Sequence, residues 1–202
     1  CKGWSIMKIN VKPASNPVSP ADREKMVAEP GFGKYFTDHM VTAEWNQSSG
    51  WSDVNVHAYG PISLDPAAMV FHYGQEIFEG MKAYSQPDGS IALFRPAANG
   101  LRFAKSAARI TLPELPVDDF VNAVEALVKV DAGWVPKKIG ESLYIRPFMI
   151  ATEVGLGVRP SNKALFAVIA TPAAAYFNSA KAVTRSEEHT LNSSHEFVSR
   201  MP

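Results

Sequence analysis

Apolar and polar positions read as strands in the first half of the chain, take a helical period between about residues 99 and 132, and read as strands again beyond it. Val54-Asn55-Val56-His57-Ala58-Tyr59 has period two and predicts a strand with one buried face. Phe36 to Trp45 reads as the strand before it, and Gln47-Ser48-Ser49-Gly50 as the loop tip between them. Ala67 to Tyr73 is mostly apolar, stops at Gly74 and also reads as strand. Ala83-Tyr84 and Ile91-Ala92-Leu93-Phe94 flank Gln86-Pro87-Asp88-Gly89, which predicts a β-hairpin because Asp-Gly supplies positive-φ positions. Asn99 can cap a helix through Arg102 to Ala107, and Pro113 and Pro116 then break the chain. Phe120, Val121, Val124, Leu127 and Val128 form one stripe at helical spacing, so a helix is expected from Asp118 to Ala132. Ser142 to Ile150 and Leu165 to Thr171 are strand-like again, joined by a loop containing Gly155-Leu156-Gly157-Val158-Arg159-Pro160. Hairpins, then helices, then strands point to an α+β layer, not a doubly wound parallel sheet.

The ends differ from this middle. Residues 1 to 30 carry Pro13, Pro17, Pro20 and Pro30 and read as an extended arm with at most one helical turn around Ala21 to Met26. After Thr184 the chain becomes polar and loses its apolar period, so residues 185 to 202 read as a non-native or disordered tail. His189 and His195 lie in that tail, where two histidines more often bind nothing than a metal. The chain opens on Cys1, and Met7 is a candidate for the true start.

Composition narrows the function classes. The 202 residues are 46% apolar, enough for a sizeable core. Twenty basic residues balance twenty acidic ones, so the basic stripe of a nucleic-acid binder is missing. No apolar run approaches the roughly 18 residues of a membrane span. Cys1 is the only cysteine, which leaves no internal disulfide framework and fits a reducing cytoplasm.

The candidate chemistry centres on Leu143-Tyr144-Ile145-Arg146-Pro147. Strand alternation places Tyr144 and Arg146 on one face and Leu143 and Ile145 on the other. An arginine in so apolar a strand needs an anion. That anion is a bound carboxylate, which suits the planar fork, or a structural partner such as Glu79 or Glu153; spacing leaves both open. Tyr73 offers a hydroxyl on an aromatic wall, although a core tyrosine with its hydroxyl at the surface is the commoner case. His72 reads as a satisfied core histidine. Arg102, Lys105 and Arg109 share one helix side, which is either a phosphate cradle or, more commonly, a solvated face. Lys82 reads as an ion-pair partner of Glu79. Gly155 and Gly157 match no dinucleotide fingerprint, and no serine has the context of a nucleophile elbow.

These residues stand in the order of a known family. Gly31-Phe32-Gly33-Lys34-Tyr35-Phe36-Thr37-Asp38-His39-Met40, His72-Tyr73 through Phe78-Glu79-Gly80-Met81-Lys82, Arg109 through Leu112-Pro113, Trp134-Val135-Pro136, Ser142 through Pro147, Leu156-Gly157-Val158 and Ala175-Tyr176-Phe177 together resemble the branched-chain amino acid aminotransferases, pyridoxal-phosphate enzymes of fold type IV. The resemblance implies the small N-terminal domain of that fold over residues 31 to 177, a mostly antiparallel sheet with helices on one side, and the start of a large domain at 178 to 184. It implies that Arg102 binds the cofactor phosphate and that Tyr73 and Arg146 place the substrate carboxylate. Phe32, Phe78, Tyr144 and Tyr176 would line a pocket for a branched side chain. Tyr144 and Val158 would reach a neighbouring subunit, so a homodimer follows. The implied reaction moves the amino group of leucine, isoleucine or valine to 2-oxoglutarate, giving a 2-oxo acid and glutamate. The family's Schiff-base lysine belongs to the large domain, so no catalytic residue is expected here and this chain alone is expected to be inactive. Other fold type IV enzymes, such as a D-amino acid aminotransferase or an aminodeoxychorismate lyase, and a non-catalytic fragment are the alternatives.

Overall fold

The computed structural model describes residues 6 to 174. Along the chain these form β1 (Ile9–Val11), α1 (Pro20–Ala28), β2 (His39–Asn46), β3 (Gly50–Trp51), β4 (Val54–Ala58), α2 (Met69–Tyr73), β5 (Glu76–Phe78), β6 (Met81–Ser85), β7 (Ile91–Leu93), α3 (Pro96–Arg109), α4 (Val117–Val130), a 3-10 turn (Ala132–Trp134), β8 (Ser142–Ala151) and β9 (Lys163–Ala173). One sheet of nine strands runs β1-β4-β2-β9-β8-β6-β7, with β3 paired to β2 and β5 to β8. Every pairing is antiparallel except β1 with β4. The expected α+β architecture is the observed one.

Strand alternation builds the core. Leu143, Ile145 and Met149 of β8 and Phe166 and Val168 of β9 are fully buried, facing α3 and α4. Phe103 of α3, Phe120 of α4 and Phe166 meet with ring centroids 5.3 to 6.1 Å apart, within the range where aromatic pairs add to simple burial. The opposite face of β8 carries Tyr144 and Arg146, both only partly buried. Register sets Tyr144 against Thr171 and Arg146 against Ile169. The helices thus cover one face at this point and leave the other for chemistry.

Four expectations need correction. The run read as a strand at Ala67 to Tyr73 contains a short helix, closed by Gly74 at φ 57°. Its Met69 is buried while Phe71, His72 and Tyr73 are exposed, a one-sided burial that a short apolar run cannot announce by period. His72 is accordingly a surface histidine, bonded to the Pro66 carbonyl, and not a core one. Residues 6 to 30 are also more ordered than an extended arm. β1 pairs along β4, the Ala14 amide donates to His39 Nε2 at 2.9 Å, and the Val18 amide donates to Asp38 at 2.7 Å. The nine-residue α1 begins with Ser19 accepting from the Asp22 amide and with proline in its first turn. That proline starts the helix because its missing N–H is not needed there. The same holds for α3, which starts at Pro96, so Asn99 lies inside the first turn instead of capping it.

Candidate active site

The segment after Gly31 runs beside β9: Ala174 donates to the Gly31 carbonyl and Thr37 to the Ala170 carbonyl. This lays Phe32 and Phe36 over the exposed face of β8 and β9. A cleft of about 200 Å³ results, lined by Phe32, Phe36, Tyr144, Arg146, Ile169 and Thr171 among others. Phe32 packs edge-on against Tyr144 with centroids 5.2 Å apart.

Among the described residues, the groups that hold Arg146 are neutral. Its Nε and Nη2 donate to Tyr144 Oη at 3.1 and 2.8 Å. Its guanidinium lies 4.4 Å from the Phe78 ring centroid and 5.3 Å from that of Tyr144. Both acids that stood as alternative partners are engaged elsewhere: Glu79 with Arg102 and Glu153 with Arg159. Among the described residues no salt bridge neutralises Arg146. A cation stacked on rings and bonded to a phenol keeps its charge for an incoming anion. The Tyr144 oxygen, accepting twice from Arg146, still has its own O–H to donate.

Tyr144 reaches this position because residue 80 is glycine. A Cβ built on Gly80 would lie 3.2 Å from two Tyr144 ring carbons, a tight contact, and 2.5 Å from its Oη, closer than real Cβ atoms come. The Glu79–Gly80 junction separates β5 from β6 on the same flank of β8. Pro147 faces it, accepting from the Glu79 amide at 2.8 Å. In an extended strand a residue's N–H and C=O point the same way, so the donor that Pro147 lacks would have aimed at this interruption.

Beside Tyr144 opens a second cleft of about 430 Å³, lined by Lys82, Tyr84, Phe94, Arg95, Asn99, Arg102 and Tyr144 among others. Its lining holds three cations and no carboxylate, a donor set that fits a phosphate. Arg95 sits at φ 49°, the left-handed region that costs a non-glycine residue roughly 1 kcal/mol. Arg102 donates through Nε and Nη2 to the two oxygens of Glu79, both at 2.6 Å, and Asn99 adds a bond of 3.0 Å to Oε2. Burial of Glu79 pushes its pKa up, but the Arg102 and Asn99 hydrogen bonds and the Arg102 charge outweigh it, and the net direction is down. The Glu79 hydrogen bond and charge raise Arg102 in turn. Lys82, expected to pair with Glu79, instead lines the cleft, and Lys105 and Arg109 lie exposed on α3, apart from the cleft lining.

The predicted site residues therefore fall into separate groups. Phe32, Phe78, Tyr144 and Arg146 come together. Arg102 lies across Tyr144 from them. Tyr73 does not line either cleft; its hydroxyl donates to the Leu156 carbonyl, tying α2 to the loop that carries Val158. Val158 is 87% exposed on that loop. Tyr176 lies outside the described residues. Sequence reading missed the structural partner of Arg102 and the contributions of Phe36, Ile169 and Thr171. The last two were accessible only through the register that puts them opposite Arg146 and Tyr144.

Among the described residues no helix is long and apolar enough to cross a membrane. No protein-family model matches the chain. Its sequence is 60% identical over 170 residues to a probable branched-chain-amino-acid aminotransferase of Streptomyces coelicolor, covering 84% of this chain and 47% of that protein. It is 54% identical over 172 residues to the branched-chain-amino-acid aminotransferase of Mycolicibacterium smegmatis, again covering 47% of it. The chain thus spans about half the length of these curated relatives. Among solved structures, the branched-chain aminotransferase of Escherichia coli aligns over 68% of this chain and 41% of its own, with TM-score 0.50 and 22% identity. That of Thermobaculum terrenum, solved in its pyridoxal-phosphate form, aligns over 67% of this chain and 40% of its own, with TM-score 0.51 and 18% identity. These structural likenesses concern the fold alone. Over about half of their length, then, this chain is similar in sequence to branched-chain amino acid aminotransferases.

Proposed function

We propose that this chain supplies the substrate-carboxylate wall and part of the phosphate site of a branched-chain aminotransferase. The reaction moves the amino group of leucine, isoleucine or valine to 2-oxoglutarate. The observation that carries this reading is Arg146: a cation without a carboxylate partner among the described residues, stacked on Phe78, bonded to Tyr144 and opening onto an apolar cleft. In the proposed role, Arg146 and the Tyr144 hydroxyl orient the substrate carboxylate, and Phe32 and Phe78 exclude water beside its apolar side chain. Arg102, with Lys82 and Arg95 at the same cleft, would hold the phosphate of pyridoxal phosphate. When bound, that cofactor supplies the electron sink that amino-group transfer requires. The exposed Val158 loop, braced by Tyr73, supports assembly as a homodimer in which it reaches a second copy. Tyr144 lies with Arg146 and not with that loop, so the reading assigns it to its own subunit's cleft. The lone Cys1 supports a cytoplasmic setting.

The test is Arg146→Ala in a complete aminotransferase that carries this segment. Loss of charge-assisted hydrogen bonds predicts a KM for every amino acid substrate about ten- to a hundredfold higher, with cofactor affinity nearly unchanged. Equal loss of cofactor and substrate binding, read by spectral titration beside the kinetics, would mark the arginine as structural.

A further inference from the structure

Phe78, Glu79 and Gly80 are consecutive, and each touches a different part of the candidate site. The Phe78 ring carries the Arg146 guanidinium. The missing Cβ of Gly80 makes room for Tyr144. Between them, the Glu79 carboxylate is 6% exposed and grips Arg102 through two bonds of 2.6 Å. Its amide is fixed to the Pro147 carbonyl in β8, next to Arg146 itself. Asn99, one helical turn before Arg102, donates both to Glu79 Oε2 and, at 3.3 Å, to the Gly80 carbonyl. The Arg102 side chain remains 65% exposed, so the edge not held by Glu79 faces the cationic cleft.

We propose that Glu79 is a positioning residue: it locks Arg102 toward an anion in the cationic cleft and sets that cleft at a fixed offset from the Arg146–Tyr144 pair. The inference rests on the reading that Arg102 holds a phosphate group. Two arguments favour positioning over simple neutralisation. The bidentate fork fixes the guanidinium plane as well as its location. The carboxylate is also braced by a neutral amide and its own backbone, a support that a counter-ion acting by charge alone does not need.

Inorganic phosphate titrated into the 202-residue chain separates the two roles by sign. The dissociation constant is measured by calorimetry, and the Arg102 Nε–H is followed by nuclear magnetic resonance. Removing a negative charge beside an anion site strengthens anion binding on electrostatic grounds alone. Positioning predicts the opposite: Glu79→Gln weakens phosphate binding about tenfold, the loss of roughly one charge-assisted bond's orientation. In the unsubstituted chain the Arg102 Nε–H signal shifts with phosphate yet stays protected, because Glu79 keeps its grip. Unchanged or tighter binding in Glu79→Gln, or collapse of that signal on adding phosphate, overturns the proposal in favour of a competing counter-ion. Asn99→Ala leaves the ion pair in place and loosens its brace. It is expected to weaken binding about threefold, and it decides the question if Glu79→Gln does not fold. Arg102→Ala tests the underlying reading: phosphate binding that survives it, or is absent from the unsubstituted chain, sinks the phosphate role and this inference together. Binding lost in Arg102→Ala but not weakened in the other two variants sinks positioning alone.

Discussion

Arg102 and Arg146 sit on either side of Tyr144 and solve the same problem in opposite ways. Arg102 is held by charge: a buried carboxylate takes two of its donors at 2.6 Å. Arg146 is held by neutral groups: a phenol oxygen and two ring faces. The first arrangement gives a rigid guanidinium with part of its charge already compensated. The second gives a guanidinium whose whole charge is available. A monoanionic carboxylate needs the uncompensated kind. A phosphate carries more charge, meets Lys82 and Arg95 as well, and gains from a donor that does not move.

The largest expected effect on this contrast comes from Gly80→Ala. A methyl group 2.5 Å from Tyr144 Oη forces the ring off its place, which removes the bonds that hold Arg146 while the Glu79–Arg102 bonds do not depend on that ring. Overpacking of this kind costs about 1–3 kcal/mol, read as a lowered denaturant midpoint. In a complete enzyme it should raise the amino acid KM far more than the cofactor dissociation constant; equal rises would mean that the two arginines are not independently held. Tyr144→Phe is the milder probe. It keeps the ring and removes the acceptor of two Arg146 bonds, so about a tenfold rise in amino acid KM is expected. An unchanged KM would mean that the ring faces alone suffice. The smallest effect is in acid and belongs to Arg102. The Glu79 carboxyl lies below its ordinary value, because its hydrogen bonds and the Arg102 charge outweigh burial. Its stabilisation is fully present above the unfolded-state pKa and fades as pH falls through the lowered folded value. Urea midpoints measured down the acid limb should therefore decline more steeply in the unsubstituted chain than in Glu79→Gln. Parallel limbs would place the pair's strength in geometry and not in charge.

How much of this was readable beforehand depends on the range of the interaction. The split of Leu143 and Ile145 from Tyr144 and Arg146 followed from alternation, and the burial of the first pair matches it. The stripe of α4 followed from helical period, and the Asp-Gly hairpin from turn chemistry. The α2 segment failed because a mostly apolar run of five residues fits either period, and Gly74 as a left-handed cap became visible only with the backbone. Pro20 was read as part of an extended arm, where it begins α1, and the start of α3 at Pro96 was not foreseen. The Glu79–Arg102 pair joins residues 23 apart on different elements, so local spacing favoured Lys82 instead. Tyr73 carried the right chemistry for a pocket, but its hydroxyl is spent on the Leu156 carbonyl, a choice made by the loop's fold.

The sheet's two outermost strands, β1 and β7, are each only three residues long. Strand-to-strand addition needs a long row of unpaired amides and carbonyls, and neither margin offers one. The long ladders β8 and β9 lie in the interior, where both flanks are already paired. Among the described residues the two margins of the sheet therefore offer little backbone to an added strand, and contacts with another molecule there fall mainly to side chains and loops.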